Sequence, residues 1–245
     1  MTIIFLCIIL LAFVLILHGY TTIRFPVKRK DGKAHIACVG DSITYGCTLP
    51  MFFLRRYPAV LQQLLGQDVQ VASFALNDRT LQDFGNKPFR KERAFQQSKK
   101  FLPEVVIILL GTNDSKDNNW LSAEAFREQY TTLIAEYRRL SSKPRILVCT
   151  PPCAFQPVCR FFFITNDANL ERIPKVAEEV KTVAESEAVE LVDLFARTAD
   201  HRNLFGADGL HPSVEGAREI AKVIYRKLEA PPAGKEFFQH LLKNR

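Results

Sequence analysis

Four residues of this chain stand in settings that suit chemistry: Ser42, Asn113, Asp208 and His211. Ser42 lies in Gly40-Asp41-Ser42-Ile43-Thr44-Tyr45-Gly46, directly after an apolar, strand-like run, and Asp208 and His211 lie in Asp208-Gly209-Leu210-His211-Pro212. A hydroxyl, a base to take its proton and a carboxylate to orient that base are the parts of nucleophilic acyl transfer. Asn113, in Gly111-Thr112-Asn113-Asp114, adds an amide that can donate toward a developing oxyanion. Taken singly, each segment has a plainer meaning: a Gly-Asp-Ser turn, a tight turn closing a buried strand, and a helix-capping Asp-x-x-His. Their company in one chain points to a serine esterase.

Such residues need a frame. Five short apolar runs rich in β-branched residues predict strands at His35–Val39, Val69–Phe74, Val105–Leu110, Arg145–Thr150 and Val189–Leu194. Helical spacing appears in Phe53–Leu65, Ser122–Leu140, Leu170–Ser186 and Val214–Leu228, with Ser122 and Pro212-Ser213 as helix-start signals. Strand alternating with helix predicts a parallel sheet covered on both faces. In such sheets ligands bind outside the carboxyl ends of the strands. Gly40-Asp41-Ser42, Gly111–Asp114 and Thr150-Pro151-Pro152 follow three of those ends and therefore share one rim.

Outside this frame, residues 1–20 contain an unbroken apolar run, Ile3–Leu17, read as an N-terminal membrane anchor, with a cleaved signal segment and secretion as the alternative. Residues 21–33 are a basic linker, 34–230 a single catalytic domain and 231–245 a basic amphipathic tail. Basic residues after the apolar run favour a cytoplasmic domain, whereas an esterase on a signal anchor more often faces outward, so the side of the membrane stays open. The net charge of +7 comes without a basic run interleaved with aromatic positions, which argues against nucleic-acid binding. The histidines and cysteines show no metal-ligand spacing, and neither a metal nor a cofactor is expected. Cys38 and Cys149 lie in apolar strands where a thiol packs; Cys153 and Cys159 flank one loop and pair only in an oxidising compartment.

Gly40–Gly46, Gly111–Asp114 and Asp208–His211, in this order and approximate spacing, resemble the SGNH (GDSL) hydrolase family over roughly residues 34–229. Within it the chain is most similar to bacterial sialate- or carbohydrate-O-acetylesterases, on Tyr57-Pro58, Gly85-Asn86-Lys87-Pro88-Phe89 and Ser115 to Trp120. The resemblance implies a three-layer α/β/α sandwich of flavodoxin-like type on a five-stranded parallel sheet. It makes Ser42 the nucleophile, His211 the base and then acid, and Asp208 the orienting carboxylate. The oxyanion hole then uses the Ser42 backbone N–H, the Asn113 side chain and a backbone N–H from a second block. There Asp78 stands where the family has a glycine. Asp tolerates a left-handed backbone better than most residues, and the donor is a main-chain group. A carboxylate aimed inward would oppose an oxyanion, and Arg79 next door is placed to draw it away.

Asp41, Asp114 and Trp120 complete the expected substrate pocket, which would take a small-molecule or glycan ester. Met51-Phe52-Phe53-Leu54 and Phe161-Phe162-Phe163-Ile164 read as core, or as an acyl pocket or lipid-facing surface. The expected reaction is hydrolysis of carboxylic, most simply acetyl, esters on carbohydrates. A lipase, lysophospholipase or thioesterase on the same residues is the enzymatic alternative. A non-catalytic binding protein of the same fold rests on Asp78 alone.

Overall fold

A computed structural model describes residues 27–158 and 167–229, together with Leu10, Phe13, Val14, Ile16 and Gly19. Most of Ile3–Leu17 including Cys7, then Cys159, Phe161–Ile164 and the tail 231–245 lie outside the described residues. Among the described residues no helix is long and apolar enough to cross a membrane.

The chain alternates as expected. Strand β1 (Ala34–Gly40) leads through the short helical turns α1 (Ser42–Tyr45) and α2 (Phe52–Arg55) into α3 (Tyr57–Leu65) and β2 (Val69–Ser73). Then come α4 (Arg93–Lys100), β3 (Val105–Leu109), α5 (Ala123–Arg138), β4 (Arg145–Cys149), α6 (Ile173–Ser186), β5 (Glu190–Val192), α7 (Leu194–Thr198) and α8 (Val214–Glu229). The sheet is five-stranded in the order β2-β1-β3-β4-β5, with every neighbouring pair parallel. This is the flavodoxin-like order, whose switch point lies between β1 and β3.

Strand β3 shows why the sheet is sandwiched. Every residue of it is buried. Val105, Ile107 and Leu109 face a layer containing Tyr57 and Leu61 of α3 and Ile220, Ala221 and Ile224 of α8. Val106 and Ile108 face Phe126, Tyr130 and Leu133 of α5 and Val176 and Val180 of α6. A strand apolar at every position can be satisfied only between two helical layers. Cys38 and Cys149 pack in the first of these layers, and burial pushes the Cys38 thiol up to about 12.

Four departures from the predicted elements have local causes. The predicted helix Phe53–Leu65 is two pieces, because Pro58 has no N–H for the Leu54 carbonyl and must sit in the first turn of a new helix. Arg56 between them is extended. The predicted helix from Leu170 starts at Ile173 instead, with Pro174 in its first turn. The last strand ends at Val192, because the Asp193 carboxylate accepts the Ala196 N–H at 3.0 Å and starts α7. Helix α4 was not legible: only Ala94, Phe95 and Ser98 are buried in a stretch otherwise of Arg, Gln and Lys.

Candidate active site

The loops after β1 and β3 open at the switch point, and their chemistry starts with Gly40. A Cβ there would overlap Thr44 Oγ1 and come within 2.6 Å of the Leu109 carbonyl, so only glycine lets the turn close against β3. Asp41 then caps the turn, its Oδ1 accepting the Ile43 N–H at 2.9 Å. The Gly46 and Cys47 N–H groups return to the Ser42 carbonyl at 2.9 and 3.0 Å, with Gly46 left-handed at φ 92°. Ser42 is thus the first residue of a locked helical turn and is only 5% exposed.

The second turn approaches from the far end of the chain. The Gly206 N–H donates to the His211 carbonyl at 2.8 Å and the Ser213 N–H to the Leu204 carbonyl at 2.8 Å, which fixes the loop before α8. Asp208 Oδ1 accepts the backbone N–H groups of Leu210 and His211, both at 3.0 Å. Its other oxygen lies 2.6 Å from His211 Nδ1. On the opposite ring edge, His211 Nε2 is 2.9 Å from Ser42 Oγ. Because an ionised carboxylate only accepts, His211 carries its proton on Nδ1 and offers Nε2 to the serine hydroxyl. Burial alone would raise the Asp208 pKa; the hydrogen bond and charge of His211 and the two backbone donors outweigh it and hold the carboxyl below its ordinary value.

A clamp that sequence reasoning missed supports this turn. After β4 the chain runs back along it: the Phe155 N–H donates to the Gly209 carbonyl and the Val158 N–H to the Ala207 carbonyl, both at 2.8 Å. The Phe155 and Phe205 rings meet at 5.2 Å. Gly209 is left-handed, and a Cβ there would overlap the Phe155 carbonyl. Cys153, in the same segment, is a free, half-buried thiol whose N–H donates to Thr198 Oγ1 at 2.8 Å.

The third component is Asn113, in a 3₁₀ turn at the end of β3 and 4% exposed. Its Nδ2 donates to the Arg79 carbonyl at 3.2 Å and, at a longer 3.4 Å, to Asp41 Oδ2, while its backbone carbonyl accepts from Asn119 Nδ2 at 2.9 Å. The two acceptors orient the amide, and the contact to Asp41 is the weaker of them.

Asp41 and Asp114 do not line an open pocket. Both are fully buried, and burial raises their pKa values to about 7 and about 6. Asp114 uses one oxygen for the Leu81 N–H and the other for the Gln82 N–H, each at 2.8 Å. It ties the loop after β3 to the loop after β2. Trp120 also packs rather than projects: its ring is 5.7 Å from Phe126 at the edge of the core, and the Arg172 guanidinium lies 5.8 Å from it.

Asp78 is left-handed, with φ 64°. Its carboxylate points away into solvent, 52% exposed, and accepts from Lys87 Nζ at 3.0 Å. The expected partner, Arg79, instead binds Glu92 through Nε at 3.1 Å and Nη2 at 2.6 Å, and the Asn77 carbonyl through Nη1. Partial burial pushes the Asp78 pKa up, but the hydrogen bond and charge of Lys87, with smaller contributions from Lys116 and Arg79, outweigh it and hold the carboxyl low. No hydrogen bond among the described residues occupies the backbone N–H of Ser42 or of Asp78. Also among the described residues, no three His, Cys, Asp or Glu side chains converge as metal ligands.

The model of the GDSL-like lipase/acylhydrolase family matches residues 38–219. An acetylxylan esterase of Xylanibacter ruminicola is 32% identical over 212 residues, covering 80% of this chain but 43% of its own length. The chain thus spans less than half of that relative. Among solved structures, an aryl esterase of M. smegmatis (TM-score 0.63, 22% identity) and a carbohydrate acetylesterase of Sinorhizobium meliloti (TM-score 0.63, 22% identity) share the fold. Each alignment covers 80% of this chain and 98% of the other. The chain belongs to the GDSL-like lipase/acylhydrolase family, also called the SGNH hydrolases.

Proposed function

We propose that this protein is a serine esterase that hydrolyses carboxylic esters, acetyl groups on carbohydrates foremost. One observation carries the reading: Ser42 Oγ, His211 and Asp208 form a continuous hydrogen-bonded chain of 2.9 and 2.6 Å at a parallel sheet's switch point. In the reaction Ser42 Oγ bonds to the acyl carbon as its proton passes to His211 Nε2. The ester C–O bond then breaks, and the alcohol leaves with that proton. Water, deprotonated by the same nitrogen, releases the acid and restores Ser42. The oxyanion receives the Asn113 amide and the Ser42 and Asp78 backbone N–H groups. Nothing in these steps asks for a cofactor.

The acetyl and carbohydrate preference is supported by the names of relatives, the X. ruminicola acetylxylan esterase and the S. meliloti carbohydrate acetylesterase. Release of acetate from acetylated xylan oligosaccharides, with p-nitrophenyl acetate turned over faster than the octanoate, is the expected outcome. Faster octanoate turnover with no acetate released from the sugars would favour the lipase or thioesterase reading. That second reading draws on a specific feature. Met51, Phe53 and Leu54 are 42%, 39% and 50% exposed, and Phe52 between them packs on Tyr45 of the nucleophile turn.

Attachment to a membrane through residues 1–20 is part of the same proposal, supported by the apolar run Ile3–Leu17. Alkaline carbonate extraction tests it: an anchored chain stays in the pellet, and a secreted or peripheral one is released.

A further inference from the structure

The glycine-to-aspartate departure at position 78 puts a carboxylate beside a place where negative charge must develop. Asp78 adjoins Arg79, whose carbonyl accepts from the Asn113 amide, so it borders the oxyanion side of the site. Its charge reaches further. Burial is the main reason the Asp41 carboxyl is raised, and the negative charge of Asp78 adds to that rise one residue from Ser42. Left unanswered, such a charge would raise the barrier to forming an oxyanion.

Lys87 answers it, and its position is fixed by the backbone. The Thr80 N–H donates to the Lys87 carbonyl at 3.1 Å, and the Phe89 N–H returns to the Thr80 carbonyl at 2.9 Å. The Asn86 N–H donates to Asn119 Oδ1 at 2.9 Å, and Phe89 is fully buried. Gly85 completes the hold, since a Cβ there would overlap Thr80 Oγ1. The segment Gly85–Phe89 therefore lies along Thr80, two residues from Asp78, and sets the Lys87 ammonium 3.0 Å from the Asp78 carboxylate. The neighbouring cations are paired with other carboxylates, Arg79 with Glu92 and Lys116 with Asp167 at 2.8 Å, and add a weaker attraction to Asp78 than Lys87 does.

We propose that Lys87 is a positioning residue for the acyl transfer. Its ammonium holds the Asp78 carboxylate outward and cancels its charge, so that a left-handed aspartate presents its backbone N–H to the oxyanion as a glycine would. The inference rests on the esterase reading of Ser42. Both side chains of the pair are 52% exposed, and exposed pairs contribute little to stability, so the effect belongs in turnover rather than in Tm.

The test is a double-mutant cycle on p-nitrophenyl acetate with the full-length chain: Lys87→Met, Asp78→Asn, the double variant and Lys87→Arg. Lys87→Met is expected to lower kcat about tenfold with KM and Tm nearly unchanged, because a bare charge beside the oxyanion weakens a hole whose single donors are each worth more than that. High salt should shrink the loss by screening the exposed carboxylate. In the Asp78→Asn background, Lys87→Met should cost nothing further, and Lys87→Arg should keep most of the activity. An equal loss in both backgrounds, a salt-independent loss with a lower Tm, or no loss would overturn the proposal. Ser42 labelling by a fluorophosphonate separates the two failures. A labelled, active wild type without coupling removes only the role of Lys87. An unlabelled, inactive wild type removes the esterase reading and this inference with it.

Discussion

On the base side of Ser42, three side chains must each be what they are. His211 reaches the hydroxyl at 2.9 Å and Asp208 reaches His211 at 2.6 Å, within a turn held by its own backbone and by the segment after β4. On the oxyanion side, two of the three proposed donors are backbone N–H groups, and there the chain carries an aspartate where the resemblance leads one to expect a glycine. The contrast separates two kinds of constraint. Where the chemistry is done by a side chain, its identity is fixed. Where it is done by the main chain, a residue can change provided it still adopts φ 64° and its new charge is neutralised. Asp78 meets the first condition by its tolerance of the left-handed region and the second through Lys87.

The contrast can be broken from either side. The largest effect expected is on the base side: His211→Ala or Ser42→Ala should lower kcat/KM by about 10⁴-fold or more, and the double variant by no more than the worse single, because the two act as a unit. Additive losses, measured on p-nitrophenyl acetate, would mean they do not.

Asp114→Asn should follow. An amide can replace one carboxylate oxygen but not both, so the Leu81 or Gln82 N–H loses its acceptor, at a cost of about 1–3 kcal/mol in chemical denaturation. Turnover should fall as well, because that loop carries Asp78; an unchanged kcat would place the oxyanion donor elsewhere. Lys87→Met, at about tenfold in kcat, ranks third.

The smallest effect is a pH dependence. Burial raises the Asp41 carboxyl from 3.8 to about 7, so between those values the folded chain holds a proton that the unfolded chain has lost. Unfolding free energy from this group therefore falls as pH rises through that window. Asp41→Asn removes the dependence, and the difference in Tm, variant minus wild type, should be more positive at pH 8 than at pH 5. A difference independent of pH would mean that Asp41 is ionised throughout.

Much of the site was legible in the sequence because its informative residues are local. Ser42, Asn113, Asp208 and His211 each sit in a short block whose turn chemistry is readable, and alternating strands and helices place the Ser42 and Asn113 blocks on one rim, while the approach of the Asp208–His211 turn to Ser42 is seen only in the fold. The less legible parts depend on contacts between blocks. Asp114 carries the same residue type whether it lines a pocket or staples Leu81 and Gln82, and only the fold separates the two. The partner of Asp78 is nine residues away because Thr80 binds the Lys87 backbone, while the adjacent Arg79 is drawn to Glu92. Helix α4 leaves little trace in the sequence because its buried face is narrow and its remaining residues are polar.

The most direct measurement is the site of covalent modification by a fluorophosphonate ester probe, mapped by peptide mass spectrometry on the full-length protein. The account predicts one adduct, on Ser42, formed slowly or not at all in His211→Ala. A folded protein that stays unmodified, or one modified at another residue while Ser42 remains free, would contradict it.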